Sequence, residues 1–563
     1  MNAERLLALY ERVAEAPDAI TRLRRFILDL AVRGKLVPQD PNDEPASELL
    51  KRITKEKARL DRKERVRREP RSLDAEAEPM QIPQGWALAP LADLVTVLNG
   101  RAYKQNELLS AGTPVLRVGN LFTSDKWYYS TLQLDEEKYC KKGDLIFAWS
   151  ASFGPFIWNG DRVIYHYHIW KLPLHSEADL NKLFLYNFLL QKTREIKEAG
   201  HGISMIHMTK EKMEKLLVPI PPLAEQHRIV AKVDELMALC DRLEAARKDR
   251  EAKRDRLSAA SLTRLNTPDP ETFTADARFT LEALPALTTR PNQIKQLRQT
   301  ILNLAVRGKL VPQDPNDEPA SELLKRITKA KAEQKKKTGD ARIKIEPDPM
   351  PGELDMQLPL GWAVQSFENL FLFIDYRGNT PPKTDDGIPL ITAKNIRMGH
   401  LNREPREYIS KATFKTWMTR GFPEIGDLFF TTEAPLANIC LNDIEEPFAL
   451  AQRVICFQPF AKIDTKFLMF ALMSDVMQSL IDKHATGMTA KGIKAANLKP
   501  RPIPIPPLAE QHRIVAKVDE LMALCDRLEA SLTTSDQTRT RLLEATLTEA
   551  LAPASISEME AAE

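Results

Sequence analysis

Apolar side chains recur at spacings of three and four residues in four stretches of the chain. Ile20, Leu23, Ile27 and Leu30 form the first, and Val233, Leu236, Cys240 and Leu243 the second. Ile294, Leu297, Ile301 and Leu304 form the third, and Val518, Leu521, Cys525 and Leu528 the fourth. This spacing sets a narrow apolar stripe along one helix face and predicts coiled-coil-like seams. Gly34 and Gly308 follow the first and third seams, as left-handed C-caps would. A connector, VPQDPNDEP, comes next each time; its prolines cannot continue a helix. SELLKRITK then predicts a short helix from Ser47 and from Ser321. The pattern of the second seam runs on to about Leu262, roughly 40 residues or about 60 Å of helix.

Between the seams the pattern becomes strand-like. TPVLRVGNL (113–121) matches IPLITAKNI (388–396) in position, and GDLIFAWS (143–150) matches GDLFFTTE (426–433). Their composition predicts short strands. Each strand-rich segment closes on an apolar helix pattern, over 180–192 or 465–481, followed by a small polar loop. The first residues, MNAERLLALYERVAEA, read as an amphipathic helix without the apolar region of a signal peptide. No apolar run reaches the ~18–20 residues that a membrane span needs.

The seams belong to a duplication. LAVRGKLVPQDPNDEPASELLKRITK occupies 30–55 and recurs unchanged at 304–329. PIPPLAEQHRIVAKVDELMALCDRLEA occupies 219–245 and recurs at 504–530. The order is frame, variable segment, frame, twice over, so this is a two-fold duplication and not a solenoid. Drift alone would also scatter changes over the frames, and these stretches have none. Identical frames imply two copies of one partner or two elements that pack alike; divergent inserts imply two ligands of one kind. The expected fold is α+β, with two globular domains separated by long antiparallel coiled-coil helices. The expected divisions are a helical region (1–79), a first variable domain (80–217), a central helix (218–265), a linker with the repeated helical region (266–349), a second variable domain (350–502) and a C-terminal helix (503–563). Within this scheme, 266–291 reads as the loop joining the halves. The charged tracts 55–71 and 329–344 read as solvated helix ends or linkers, with phosphate contact as the alternative.

Composition narrows the function. The 563 residues suffice for several domains, and 81 basic against 78 acidic residues leave a net charge of +3, so only local clustering can speak for nucleic acid. Five cysteines, an odd number without a CxxC pair, fit a reduced intracellular protein. Gly34-Lys35 and Gly308-Lys309 are each followed by leucine, so no phosphate loop is present. There is no glycine fingerprint after a strand and no [DN]PP[YF] tetrapeptide. Thr392-Ala393-Lys394 has the lysine of a metal nuclease core without its acid. His166 and His168 alternate on an expected strand, but two histidines make a weak zinc site and read better as surface contacts.

The polar residues of the variable segments suit base reading. The first offers Arg101, Lys104, Asn106, Arg117, Asn120, Lys126 and Tyr128, with Trp127 beside them. The second offers Arg377, Asn379, Lys383, Lys394, Asn395, Arg397, Lys411, Lys415 and Arg420. Arginine and lysine pair with guanine and asparagine with adenine, while many lysines only touch phosphates. In the frames, Pro221, Gln226, His227, Val233, Leu236 and Leu243, with their repeats Pro506, Gln511, His512, Val518, Leu521 and Leu528, are expected to build the scaffold or face a partner.

Ile82-Pro83-Gln84-Gly85-Trp86 and Leu358-Pro359-Leu360-Gly361-Trp362 open the variable segments alike. With the GDLIF and GDLFF strands and PIPPLAEQ before each long helix, the whole chain resembles the specificity subunits of type I restriction–modification enzymes. That resemblance implies two target-recognition domains, each reading half of a bipartite double-stranded DNA site. It implies two methyltransferase subunits docked on the scaffold, with restriction subunits outside them, in a prokaryotic cytoplasm. It implies no active site and no cofactor in this chain; S-adenosylmethionine, ATP and magnesium would belong to the partners. The competing readings are a self-contained nuclease or methyltransferase, and a two-headed adaptor for protein or RNA.

Overall fold

The computed structural model describes residues 18–63, 82–150, 153–199, 208–267, 271–344, 351–354, 356–376, 380–487 and 491–551, with isolated positions between them. The chain divides into two compact units, Met1–Arg250 with Asp536–Glu563, and Glu251–Ser535.

Each unit contains a leading helix ahead of its variable segment, Ala19–Val32 or Pro291–Val306. Ile20, Leu23, Ile27 and Leu30 are buried, as are Ile294, Ile301 and Leu304, and Leu297 is half-buried. Gly34 and Gly308 take φ of 67° and 65°. Lys35 N donates to Leu30 O, and Lys309 N to Leu304 O, at 2.9 Å each. That six-to-one closure is the C-cap expected of these glycines. The next helices, Ala46–Lys63 and Ala320–Thr338, are longer than the short helices expected and carry much of the charged tracts. Residues 64–81 lie outside the described residues.

Two long helices follow the variable segments, Leu223–Asn266 and Leu508–Leu551, each of 44 residues. Val233, Leu236 and Cys240 are buried in the first, and Val518 and Cys525 in the second, with Leu243, Leu521 and Leu528 packed beside them. The first long helix belongs to the second unit from Glu251, and the second to the first unit from Asp536. Each leading helix is therefore flanked by the start of one long helix and the tail of the other. In the first unit Arg24 pairs with Asp241 and Glu244, both at 2.6 Å, and Arg22 with Glu544 at 2.9 Å. In the second, Arg298 pairs with Asp526 and Glu529 at 2.7 and 3.0 Å, and Asn303 donates to Asn266 at 3.0 Å.

Two expectations change. The joining segment 266–291 contains the helix Phe273–Leu287; good helix formers through ADARFTLEAL outweigh Pro285, which comes only two residues before the helix ends. The pattern over 465–481 is two helices, Thr465–Met473 and Asp475–Lys483. Buried Ser474 ends the first by donating to Ala471 O at 2.6 Å and caps the second by accepting from Met477 N at 3.4 Å.

The variable domains share one strand plan. The first has a four-stranded sheet ordered Leu98–Asn99, Ile169–Lys171, Leu145–Ala148, Gly154–Ile157. The second has Phe371–Asp375, Val454–Pro459, Leu428–Thr431, Ile439–Leu441. Each also has a parallel pair, Thr113–Leu116 with Val163–Tyr165, or Ile388–Ile391 with Ala449–Leu450. A final pairing closes each domain. Ala87–Pro90 runs antiparallel to Leu217–Ile220, and Ala363–Ser366 to Pro502–Ile505. The first and last strands of each variable segment are thereby joined in a neck.

Buried polar groups fix each neck. Trp86 Nε1 donates to Glu225 Oε2 at 3.0 Å, and Trp362 Nε1 to Glu510 Oε2 at 3.0 Å. Both glutamates are 1% exposed. Gln226 Nε2 donates to Pro221 O at 3.0 Å while its Oε1 accepts from Asn181 N at 2.8 Å; Gln511 repeats this with Pro506 O and Asp464 N at 2.9 and 3.0 Å. A Cβ on Gly34 would sit 2.4 Å from Pro83 Cγ and 3.1 Å from the Trp86 ring, and Gly308 meets Pro359 and Trp362 at the same distances. The glycine that ends the leading helix is thus also the seat of the PxGW opening.

Burial pushes the Glu225 and Glu510 carboxyls up, against the tryptophan N–H bonds that pull them down. The folded chain binds these protons more tightly than the unfolded chain. Their charge therefore weighs against stability at neutral pH, and the penalty is released as pH falls through the raised values toward the ordinary glutamate range. Glu225→Gln keeps an acceptor for Trp86 and should reduce this pH dependence in urea titrations at pH 5 and 8, and adding Glu510→Gln should reduce it further. Trp86→Phe leaves a buried carboxylate without its donor and should cost about 1–3 kcal/mol, read as a lower urea midpoint.

Candidate nucleic-acid interface

In the first domain the candidate residues gather where the parallel strand pair ends. His166 N donates to Leu116 O at 2.9 Å, and Tyr167 N to Arg101 O at 3.0 Å. Leu109 and Tyr129 exchange backbone hydrogen bonds at 2.7 and 3.0 Å. The loops after Gly100, Leu116 and Tyr165 therefore form one surface. Arg101 is held by Glu107 at 2.8 and 3.1 Å and lies over the Tyr103 ring, while Lys104 and Asn106 are exposed on the same loop. The Glu107 carboxyl falls below its usual range because Arg101 donates to it. Arg117 and Lys126, both exposed, flank the Tyr128 ring at 5.2 and 5.3 Å. Trp127 lies 6.5 Å from Trp158.

His166 and His168 do not alternate on a strand; they bracket the turn between Val163–Tyr165 and Ile169–Lys171. Burial, then the nearby His168 and Arg117, push His166 down to about 4. It is neutral at pH 7, so the positive charge of this surface rests on the arginines and lysines.

In the second domain the candidates are more dispersed. Lys383 and Lys394 meet at Glu407, at 2.7 and 3.6 Å. Lys411 and Lys415 are exposed on the helix Lys411–Trp417, and Arg397 is exposed in the hairpin formed by Ile396–Arg397 and His400–Leu401. Arg420 donates to Asp375 O and takes part in a cleft with Arg342 and Phe371. Arg377 and Asn379 lie outside the described residues.

Two asparagines hold the loops together from within. Asn120 Oδ1 accepts from Arg117 N at 3.1 Å, and its amide donates to Ser124 O and Lys126 O at 3.3 and 3.0 Å. Asn395, 2% exposed, accepts from Thr392 N at 2.9 Å and donates to Asn402 O and Pro405 O, both at 3.1 Å. These amides are committed to the backbone, so they shape the surface and do not read bases. A shared sequence signal existed, an asparagine at one place after each strand, but its hydrogen bonds are tertiary. In the frames, Gln226 and Gln511 are internal, whereas His227 and His512 are exposed. The paired Trp86–Glu225 and Trp362–Glu510 contacts escaped sequence reading, although both residues stand in motifs that repeat.

The family model described as the type I restriction modification DNA specificity domain matches residues 83–253 and 362–535. The EcoAI type I restriction enzyme specificity subunit of Escherichia coli is 30% identical over 552 residues, 93% of this chain and 93% of its own. The EcoEI specificity subunit of the same species is 28% identical with the same coverage. A solved HsdS subunit from Thermoanaerobacter tengcongensis aligns over 84% of this chain and 98% of its own, at 18% identity and a TM-score of 0.43.

Loop-shaping and contacting residues separate in two assays. Asn395→Ala strands buried backbone groups and should lower stability by about 1–3 kcal/mol, seen as faster proteolysis near 392–405. Lys394→Ala should leave proteolysis unchanged. If Lys394 touches a phosphate, it should weaken duplex binding for all sequences alike and reduce the salt slope by about one.

Proposed function

The chain belongs to the specificity subunits of type I restriction–modification systems, and on that premise we propose that each variable domain reads one half of a bipartite DNA site. It is a non-catalytic DNA target-recognition subunit. The recognition domains span 80–217 and 350–502 in this reading, and the frames around them dock two methyltransferase subunits, with restriction subunits beyond. S-adenosylmethionine, ATP and magnesium then act in those partners, in the cytoplasm. Among the described residues no helix is long and apolar enough to cross a membrane.

One observation carries the reading: two divergent domains are mounted on necks that repeat bond for bond. Trp86–Glu225 and Trp362–Glu510 share one distance, and Arg228–Asp43 and Arg513–Asp317 are both 2.6 Å pairs. Like surfaces receive like partners, while unlike loops on one strand plan discriminate different ligands of one kind.

Exchanging residues 80–217 for the matching domain of a relative tests this. Mapping of methylated adenines in a host with the cognate methyltransferase should show a bipartite motif in which one half is new, with the other half and the gap retained. A motif unchanged by the exchange, in an assembled complex, refutes the assignment.

A further inference from the structure

The two variable domains carry one backbone turn at the same place, and only its side chains differ. In the first domain Val115 and Leu116 pair in parallel with Ile164 and Tyr165; in the second Leu390 and Ile391 pair with Ala449 and Leu450. His166 N then donates to Leu116 O at 2.9 Å, and Ala451 N to Ile391 O at 2.9 Å. Ile169 N returns to His166 O at 2.9 Å, and Val454 N to Ala451 O at 3.1 Å. Trp149 N closes on His168 O at 3.1 Å, and Thr432 N on Arg453 O at 3.0 Å. Three hydrogen bonds and one register thus place Tyr167-His168 and Gln452-Arg453 on equivalent two-residue tips.

The residues that hold the tips are buried or, at His166, half-buried; in each tip one residue is exposed, and His168 and Gln452 are half-buried. Tyr165 and Leu450 are fully buried and Ala451 is 7% exposed, whereas Tyr167 is 39% exposed and the Arg453 side chain 49%. The chemistry differs in kind. Tyr167 and His168 have ring centres 3.9 Å apart with planes tilted by 43°, and Trp149 lies edge-on to both at 5.9 and 5.1 Å, which makes an aromatic cluster at the tip. Gln452 presents an amide, and Arg453 a guanidinium whose Nε is held by Glu433 at 2.7 Å. Arg101 and Arg117 border the first tip through Tyr167 N–Arg101 O and His166 N–Leu116 O, and Lys394 leaves the same strand end as the second.

We propose that Tyr167-His168 and Gln452-Arg453 discriminate the bases of their respective half-sites, while the bordering cations position the backbone. This rests on the reading that each domain recognises half of the DNA site. A rigid backbone with exchangeable tips suits discrimination: contacts to base edges specify, and contacts to phosphates do not. An arginine fork and an amide match the major-groove edges of guanine and adenine, so the second half-site should contain a purine read by this pair. The aromatic tip offers apolar contact to a thymine methyl or a face for stacking.

The test uses the full chain in complex with its methyltransferase, with methylation measured on duplexes carrying single base changes in either half. Arg453→Lys keeps the charge and loses the planar fork. It should slow methylation of the intact site roughly tenfold or more and relax discrimination in the second half only. Tyr167→Ala with His168→Ala should relax the first half only. Complex assembly is checked by size exclusion, and the conservative Arg453→Lys keeps the test valid if the double variant does not assemble. Unchanged rate and discrimination with Arg453→Lys overturn the proposal. The exchange of 80–217 is run in parallel: if it alters the motif and the tip variants do not, only this proposal falls. If the exchange also leaves the motif unchanged, the reading beneath it falls too.

Discussion

Everything variable in this chain hangs from a neck held by a buried carboxylate. Glu225, 1% exposed, accepts from Trp86, which opens the first recognition domain, while Glu225 itself sits on the first turn of the long helix that follows the domain. An isolated carboxylate in such a place is costly; the indole N–H is the largest offset, with Arg228 and Gln39 adding to it. The bond therefore ties the start of the domain to its end. Gly34 joins a third element, because the Trp86 ring and Pro83 pack where a side chain would otherwise stand. Leading helix, domain and long helix meet at one point, and the second half repeats the arrangement at Glu510, Trp362 and Gly308.

This constraint explains why the frames and the domains differ so sharply in what they permit. The strand that opens each domain pairs with the strand that closes it. With both ends fixed, the sequence between them can change without disturbing the scaffold, provided it returns to the same pairing. Inside the domains the same division recurs on a smaller scale. Backbone pairing and the amides of Asn120 and Asn395 shape the loops, and exposed side chains at the strand ends are left to vary. On the proposed reading, this combination offers partners constant surfaces while the DNA targets differ.

Much of the scaffold was legible in the sequence because its signals are local. A three-four apolar spacing makes a helix wherever it occurs, and glycine after the last turn ends it; the seams at Ile20–Leu30 and Val233–Leu243 are buried much as their spacing demands. The mixed α and β character of the variable domains followed from their strand-like runs for the same reason. Local signals misled where two of them competed. Helix formers outweighed Pro285 in the joining segment, and Ser474 interrupted an apolar run that spacing alone would have continued.

The sequence by itself determined the duplication, the helical frames, the strand-rich inserts and the family, because each rests on order along the chain. Tertiary structure decided which polar residues are available. Asn395 and Arg117 look equally fit to touch a base, yet one is buried and bonded to three loop residues, Thr392, Asn402 and Pro405, and the other lies exposed over Tyr128. Likewise Tyr167-His168 and Gln452-Arg453 share no letters, and only the hydrogen-bonding of their strands makes them equivalent. Burial and partnership depend on residues far apart in sequence, so composition and spacing cannot assign them.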